Sequence, residues 1–317
     1  MTSISSIAGY ELKKLLGSTG PTETYQARGP RKSGARAVAF KLLRLERLPV
    51  DARDPAAAKF LAAGRRSLAA TVGGMARVIE VSEDPAVPFV ASELVPGIDL
   101  AYLVRLARKR NPGALGLEPS LAGTLAAQVA RILTSAHESS PPLHHLGLRP
   151  GNVRVTPEAG VVVVDFGLGA SLRSVGEQPI ARWYFLAPEL LGVDASAGFD
   201  GSAQAADLYS LGALLYFLLA GRPPVEADSP AQLLERSQEP LPALPSVPDE
   251  LNRAIRALTA ADPRKRPASA REAAEMLSGG IASPQERHQQ MATALRALGI
   301  SSRPKKAANP AMVVFPP

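Results

Sequence analysis

The sequence predicts an α+β protein in two lobes, a small antiparallel β-rich lobe with one helix followed by a larger α-helical lobe. Three observations lead there. Segments that alternate apolar and polar residues crowd the first third of the chain, helical patterns fill the rest, and no internal repeat interrupts that order.

In the small lobe, "YELKKLLG" and "TETYQAR" alternate around a turn-rich centre as the arms of a hairpin do, and "ARAVAFKLLRL" reads as a third strand. An alanine-rich helical stretch covers 55–70, followed by strands at "ARVIEVSED" and "PFVASEL". "VPGIDL" (95–100) reads as a connector, because Pro-Gly breaks both regular patterns. Beyond it, 120–138 is a long amphipathic helix, and "VRV" and "VVVVDFG" are short strands. Helices over 207–220, 249–260 and 269–277 complete the large lobe. The first of them is apolar almost all round, so it has no face suited to water and belongs at the centre. The organisation is a tail (1–9), a strand-rich lobe (10–97), a helical lobe (98–278) and a second tail (279–317).

That second tail carries its own helix over 284–298. Ser283 is the expected N-cap, Pro284 takes the first helical position, Glu286 completes a capping box and Gly299 can close the other end. Met291, Ala292, Leu295 and Leu298 share one face. The stripe must be covered, either by docking on the large lobe or by a protein partner.

Bulk composition narrows the function. At 46% hydrophobic and 21% charged the chain is globular rather than disordered. The net charge is +7, but its Arg and Lys residues are scattered and the "RLARKR" run is short, so no nucleic-acid partner is expected. Without cysteine there is neither a disulfide framework nor a thiolate metal site, and the four histidines lack ligand spacing. The longest apolar run, 211–220, is about half of a membrane span and reads as buried helix. The N-terminus has no basic segment followed by an apolar one. These features make a cytoplasmic location the expectation.

Eight short motifs carry the functional reading: "LGSTGPTETYQA", "VAFK" (38–41), "ASEL" (91–94), "LHHLGLRPGNVRV" (143–155), "VVVVDFGLG", "LAPEL" (186–190), "DLYSLGALLYFLLAGRPP" and "DPRKRP". Their order and spacing resemble the bacterial serine/threonine protein kinase family from about Tyr10 to Leu277. The resemblance implies a kinase-like fold with a nucleotide cleft between the lobes, and ATP and magnesium as its cofactors. It makes Lys41 the phosphate-contacting lysine, with Ser92 behind the nucleotide and Glu93, Leu94 and Val95 in the hinge. Asn152 and Asp165 become the magnesium ligands, and Arg149 a cation near the transferring phosphate. His145 and Phe166 become packing residues, Glu189 pairs with Arg266, and Asp207 caps its helix and braces the catalytic loop.

The departures from the family pattern are as informative. Gly147 stands where an aspartate accepts the substrate's proton, a role worth on the order of 100- to 10,000-fold in rate. Ala63, or Gly64 in a shifted register, replaces the helix glutamate, so Lys41 loses its usual partner; no acid lies in 55–70. Gly17 matches the first glycine of the phosphate loop, but Thr19 and Thr22 replace the others, Thr24 replaces a valine and Gly20 falls off the pattern, which favours a plain hairpin turn over a nucleotide lid. Arg154 stands where an apolar residue floors the adenine, so it either stacks on the base or, the preferred reading, excludes it. Leu146 and Arg182 replace the arginine and threonine that serve the activation segment. There Ser171 and Ser174 are the only hydroxyls before Tyr184, so control by phosphorylation is not expected.

The fold-bracing positions survive while the base, the helix acid and the loop glycines are gone. The sequence therefore reads as a catalytically inactive pseudokinase, a scaffold or allosteric regulator in bacterial signalling that acts by binding a protein. Two alternatives stay open: an active atypical kinase in which Glu138 or Glu177 replaces the base, and a sensor that binds ATP without transferring phosphate.

Overall fold

The computed structural model describes residues 6–30, 37–169, 171, 179–191, 202–278 and 284–300. Ser174, Glu177 and the Ser283 cap lie outside them.

Six strands form the small lobe's sheet: β1 (Ser6–Ile7), β2 (Tyr10–Thr19), β3 (Thr22–Arg28), β4 (Ala37–Leu43), β5 (Val78–Val81) and β6 (Phe89–Glu93), in the order β1-β2-β3-β4-β6-β5. Alternation along β4 sends Val38, Phe40 and Leu42 to one face, where Phe40 stacks on Phe89 at 4.6 Å and leans on Tyr10 at 5.0 Å. Ala39 and Lys41 point the other way, toward the large lobe. Thr19 sits opposite Thr22, so "LGSTGPTETYQA" closes through the two-residue turn Gly20–Pro21; Gly20 takes the left-handed backbone (φ 52°) that glycine tolerates best.

Helix α1 (Val50–Ala69) starts five residues before the expected stretch and runs through Pro55. It therefore contains Asp51 and Asp54, both exposed and in its first turns, where acids complement the helix dipole. Burial of Ala56, Ala57, Phe60 and Leu61 on the sheet outweighs the bond that Pro55 cannot donate. Gly64 allows the closest approach, since a Cβ there would lie 2.7 Å from Val90.

The chain crosses at the hinge into a second sheet, β7 (Ile98–Asp99), β8 (Val153–Val155) and β9 (Val161–Val163). Gly97 is required there: its φ is 106° and a Cβ would stand 2.1 Å from the Val155 carbonyl. The large lobe follows with α2 (Leu100–Arg110), α3 (Pro119–His137), α4 (Ala203–Ala220), α5 (Pro230–Arg236), α6 (Asp249–Leu258) and α7 (Ala270–Ser278). By length and composition α4 could cross a membrane, yet 89% of it is buried inside this lobe, as its uniform apolarity predicts.

The last helix, α8 (Pro284–Ala297), lays its stripe on α3. Met291 and Leu295 are each 1% exposed, and Gln128 of α3 donates to the Met291 sulfur at 3.4 Å. Gly299 closes the helix at φ 72°, with Gly299 N–H bonded to Arg296 O and Ile300 N–H to Leu295 O, both at 2.8 Å. Of the two ways to cover the stripe, docking on the large lobe is the one the structure has.

Candidate functional site

The loop that carries Gly147 is held from beneath. Asp207 accepts hydrogen bonds from the backbone N–H groups of His145 (2.8 Å) and Leu146 (2.7 Å), and its Oδ2 lies 2.9 Å from His137 Nε2. This arrangement pins Leu146 in the left-handed region, at φ 54°. Because α4 begins at Ala203, Asp207 lies inside the helix; the expected cap is instead a buried brace. Burial would raise its pKa, but His137, His145 and the donated bonds more than offset this and hold the carboxyl below its ordinary value. His145 is fully buried, its ring against Phe166 at 4.9 Å and its Nε2 3.0 Å from Val164 O. Asn152 donates across the loop to Gly147 O at 3.2 Å.

Lys41 does not stay without a partner. Its Nζ bonds Asp165 Oδ2 at 2.5 Å, the residue expected to hold magnesium, with side chains 15% and 24% exposed. The helix offers no acid there, with Ala63 and Gly64 in its place, and Lys41 pairs with an acid of the large lobe instead. An ammonium taken from water needs a carboxylate, and Asp165 is the one in reach. Burial pushes the Asp165 pKa up, while Lys41 and Arg149 pull it further down, so it remains ionised. Arg149 crowds the same point: its Nε is buried without a partner among the described residues, and its guanidinium lies over Gly151. Arg182 joins them, pulled down to about 10 by burial and then by Arg149.

The α1 face toward the cleft carries Ala63 and, one turn on, Ser67, whose hydroxyl donates to Phe166 O at 3.0 Å. This contact settles the register at Ala63. Ser67 was not singled out from sequence, since nothing local marks one serine in an alanine-rich helix as a contact to residue 166. The sheet hides another such device. Glu23, 7% exposed, accepts from Arg44 Nε (2.7 Å), from Tyr25 hydroxyl (2.6 Å) and from Arg47, which also reaches Gly20 O. The hairpin tip is thus latched to the β4–α1 connection.

At the hinge, Arg154 runs along the cleft floor and donates to Gly97 O at 2.5 Å, with Asp99 nearby. Glu93 is exposed, its carboxylate accepting from Arg77 N–H at 3.1 Å, and Val95 is half-buried. Ser92 does not open the larger pocket that its size suggests. Met75, Phe166 and Leu168 close in around it and Lys41, leaving a cavity of about 20 Å³, room for one water.

The large lobe carries a brace of its own. Arg266 grips Glu189 in a fork, Nη1 to Oε1 at 2.6 Å and Nη2 to Oε2 at 2.8 Å, donates to Ala205, Ala260 and Ala261 carbonyls, and lies over the Tyr209 ring. Glu138, the other acid weighed for the base, is exposed and held by Arg271 at 2.7 Å. Ser171 is buried and donates to Leu168 O, and the Tyr184 hydroxyl donates to Ala227 O.

These residues do not fit a magnesium ion. The cluster holds four cations, Lys41, Arg149, Arg154 and Arg182, around the two carboxylates Asp165 and Asp99, and Asp165 is already paired. Without a phosphate to share it, a divalent cation between Asp165 and Asn152 would enter an excess of positive charge with one engaged carboxylate as the only charged ligand the protein supplies. Among the described residues no group of three or more His, Asp or Glu could hold a metal.

Comparison with known proteins agrees with the motifs. Residues 10–277 match the protein kinase domain family. The chain is 29% identical over 321 residues to the probable serine/threonine-protein kinase PkwA of Thermomonospora curvata, covering 98% of this chain and 39% of that protein. It is 31% identical over 251 residues to the probable serine/threonine-protein kinase SCO3848 of Streptomyces coelicolor, covering 76% of this chain and 34% of that one. The chain thus spans well under half the length of these curated relatives. The crystal structure of the Mycobacterium tuberculosis PknI kinase domain superposes with a TM-score of 0.64 at 26% identity, covering 88% of this chain and 99% of that one. From the strand that opens at Tyr10 to the last helical turn at Leu277, this chain belongs to the protein kinase domain family.

Proposed function

We propose that the chain is a pseudokinase: a kinase fold that transfers no phosphate and acts in bacterial signalling by binding another protein. One observation carries this reading. At Gly147, where a carboxylate would take the substrate's proton, the residue offers no side-chain acceptor, and two other carboxylates, Asp165 and Glu138, are engaged by Lys41 and Arg271. The braces that hold the loop, Asp207, His145 and the Glu189–Arg266 fork, are intact, which supports a retained architecture. The two lobes, joined through the hinge, then provide a scaffold whose relative position a protein partner can bias. A cytoplasmic location belongs to the same reading.

The test is phosphate transfer from radiolabelled ATP with magnesium to a generic basic protein and to the chain itself. Expected is no transfer above that of a heat-denatured control, for the native chain and for Gly147→Asp alike, since the variant restores one acid but not the metal site. Turnover by the native chain that disappears in Asp165→Ala would overturn the proposal in favour of an atypical kinase.

A further inference from the structure

We infer that the end of the large lobe where α2, α4 and α8 terminate is a docking surface for an anionic lipid bilayer, touched peripherally through a group of cations and one exposed leucine. None of these residues belongs to the cleft described above, so the inference stands apart from whether phosphate is transferred.

In sequence the "RLARKR" run of α2 is short and the other cations are dispersed. Folding gathers them. Arg108 donates to Gly221 O at 3.4 Å, at the end of α4, which brings Arg222 alongside. Arg110 donates to Ala297 O, the last residue of α8, which brings Arg296. Arg105 and Lys109, four apart and so neighbours on α2, complete a set of six exposed cations drawn from three helix ends. None of the six is paired with a carboxylate among the described residues, whereas Arg44, Arg47, Arg264 and Arg271 each hold one elsewhere. The chain has no Asp or Glu over 100–117, 208–225 or 287–300. Glu118 and Glu226, one residue past the first two stretches, pair with none of the six.

Part of this charge has a local purpose. Three helix C-termini meet here, and Arg108 and Arg110 each donate to an end carbonyl. Each terminus is equivalent to about half a negative charge, so six cations against about one and a half leave a surplus of about four. An apolar tip stands beside them. Leu115 is 65% exposed, and a Cβ added at Gly221 would meet Leu115 O at 1.9 Å and the Arg108 side chain at 3.4 Å. Cations at the headgroups and an apolar side chain in the acyl boundary are the two attractions that hold a protein on a bilayer surface. A nucleic acid would meet the charge but not the leucine. The rings here, Tyr102 and Tyr216, lie under Arg105 (5.4 Å) and Arg222 (5.8 Å), which leaves a base no open face to stack on.

The experiment is flotation of the whole chain with vesicles of phosphatidylcholine alone and with about 30% phosphatidylglycerol, in about 0.1 M sodium chloride, where the Debye length is about 10 Å. Binding to the anionic vesicles only, weakening as salt rises, is expected. Arg105→Gln with Lys109→Gln, side chains that cap no helix, should weaken it about 25-fold, about fivefold per charge. The same charge removed from α1, Arg65→Gln with Arg66→Gln, should change it less than about threefold, because charges held beyond a Debye length from the bilayer are screened. In Leu115→Trp the emission should shift to the blue with anionic vesicles and stay put with neutral ones; the native chain, whose one tryptophan is Trp183, supplies the baseline. All five positions are exposed, so the variants should keep the native melting temperature. No binding to anionic vesicles, equal losses in the α2 and α1 pairs, or no blue shift in Leu115→Trp would overturn the surface. An oligonucleotide that displaces the chain from the vesicles at equal phosphate concentration would overturn lipid as its ligand in favour of nucleic acid.

Discussion

Lys41 Nζ and Asp165 Oδ2 lie 2.5 Å apart, 124 positions apart in sequence, so the residue expected to hold a metal instead neutralises the lysine that α1 leaves without an acid. The pair ties the small lobe's β4 to the start of the activation segment. Removing either partner strands a charge that is at most a quarter exposed. Lys41→Met and Asp165→Asn should each lower stability by about 1–3 kcal/mol, and the double variant by less than the sum. Denaturant melts of the four-member cycle measure the coupling. Strict additivity would show that the pair contributes nothing.

Acid should unfold the protein in two stages. Burial holds His144 and His145 below their ordinary value of 6.5, so in the unfolded chain they take up protons first as pH falls. Stability is full above that value and begins to decline as pH drops through it. Asp165 and Asp207 are held below the ordinary 3.8, so their contribution is present above that value and is lost as pH falls toward their folded values. The midpoint of urea unfolding against pH should therefore decline gently below pH 6.5 and steeply below about pH 4. In Asp207→Asn the steep part should flatten.

Asp207→Asn should also lower stability at neutral pH by about 3 kcal/mol. An amide keeps one acceptor but sets a donor either against the Leu146 N–H or against the His145 N–H and His137, depending on its flip. A loss below about 1 kcal/mol would mean that the loop finds other support.

The Glu189–Arg266 fork makes a sharper case. The Arg266 side chain is fully buried and serves Glu189, three carbonyls and the Tyr209 face, so Arg266→Met should cost about 3–5 kcal/mol. Arg266→Lys should recover only part of this, because an ammonium cannot form the two parallel bonds. Thermal unfolding of both variants gives the comparison.

Leu295→Ala removes a side chain 1% exposed from the α3–α8 contact and should weaken docking by about 2–3 kcal/mol. Limited proteolysis reads this directly. Cleavage near α8 should appear well before cleavage of the large-lobe core, whereas resistance equal to the native chain would mean that α8 is held elsewhere.

Much of the candidate site was legible because its motifs are rigidly spaced. Glu189 pairs with Arg266, Asp207 holds the His145 and Leu146 N–H groups from inside its helix, and His145 rests on Phe166. Helix ends were less legible. Pro55 reads as a start, and the helix nevertheless opens at Val50, because burying its apolar face on the sheet outweighs one missing backbone bond. Ser67 and the Glu23 latch were not legible, since their partners are far along the chain or across a hairpin.

What the sequence determined by itself is the two-lobed fold, the survival of its braces and the loss of the acid at Gly147, because strand and helix periods and fixed motif spacings are properties of a chain read in order. Tertiary structure alone decided that Lys41 goes to Asp165, that Arg154 lies along the hinge floor to Gly97, that Ser92 opens no large pocket and that α8 docks on α3. Each of these depends on which groups meet across space once water is excluded, and there short-range Coulomb attraction and packing choose among partners that sequence order leaves equivalent.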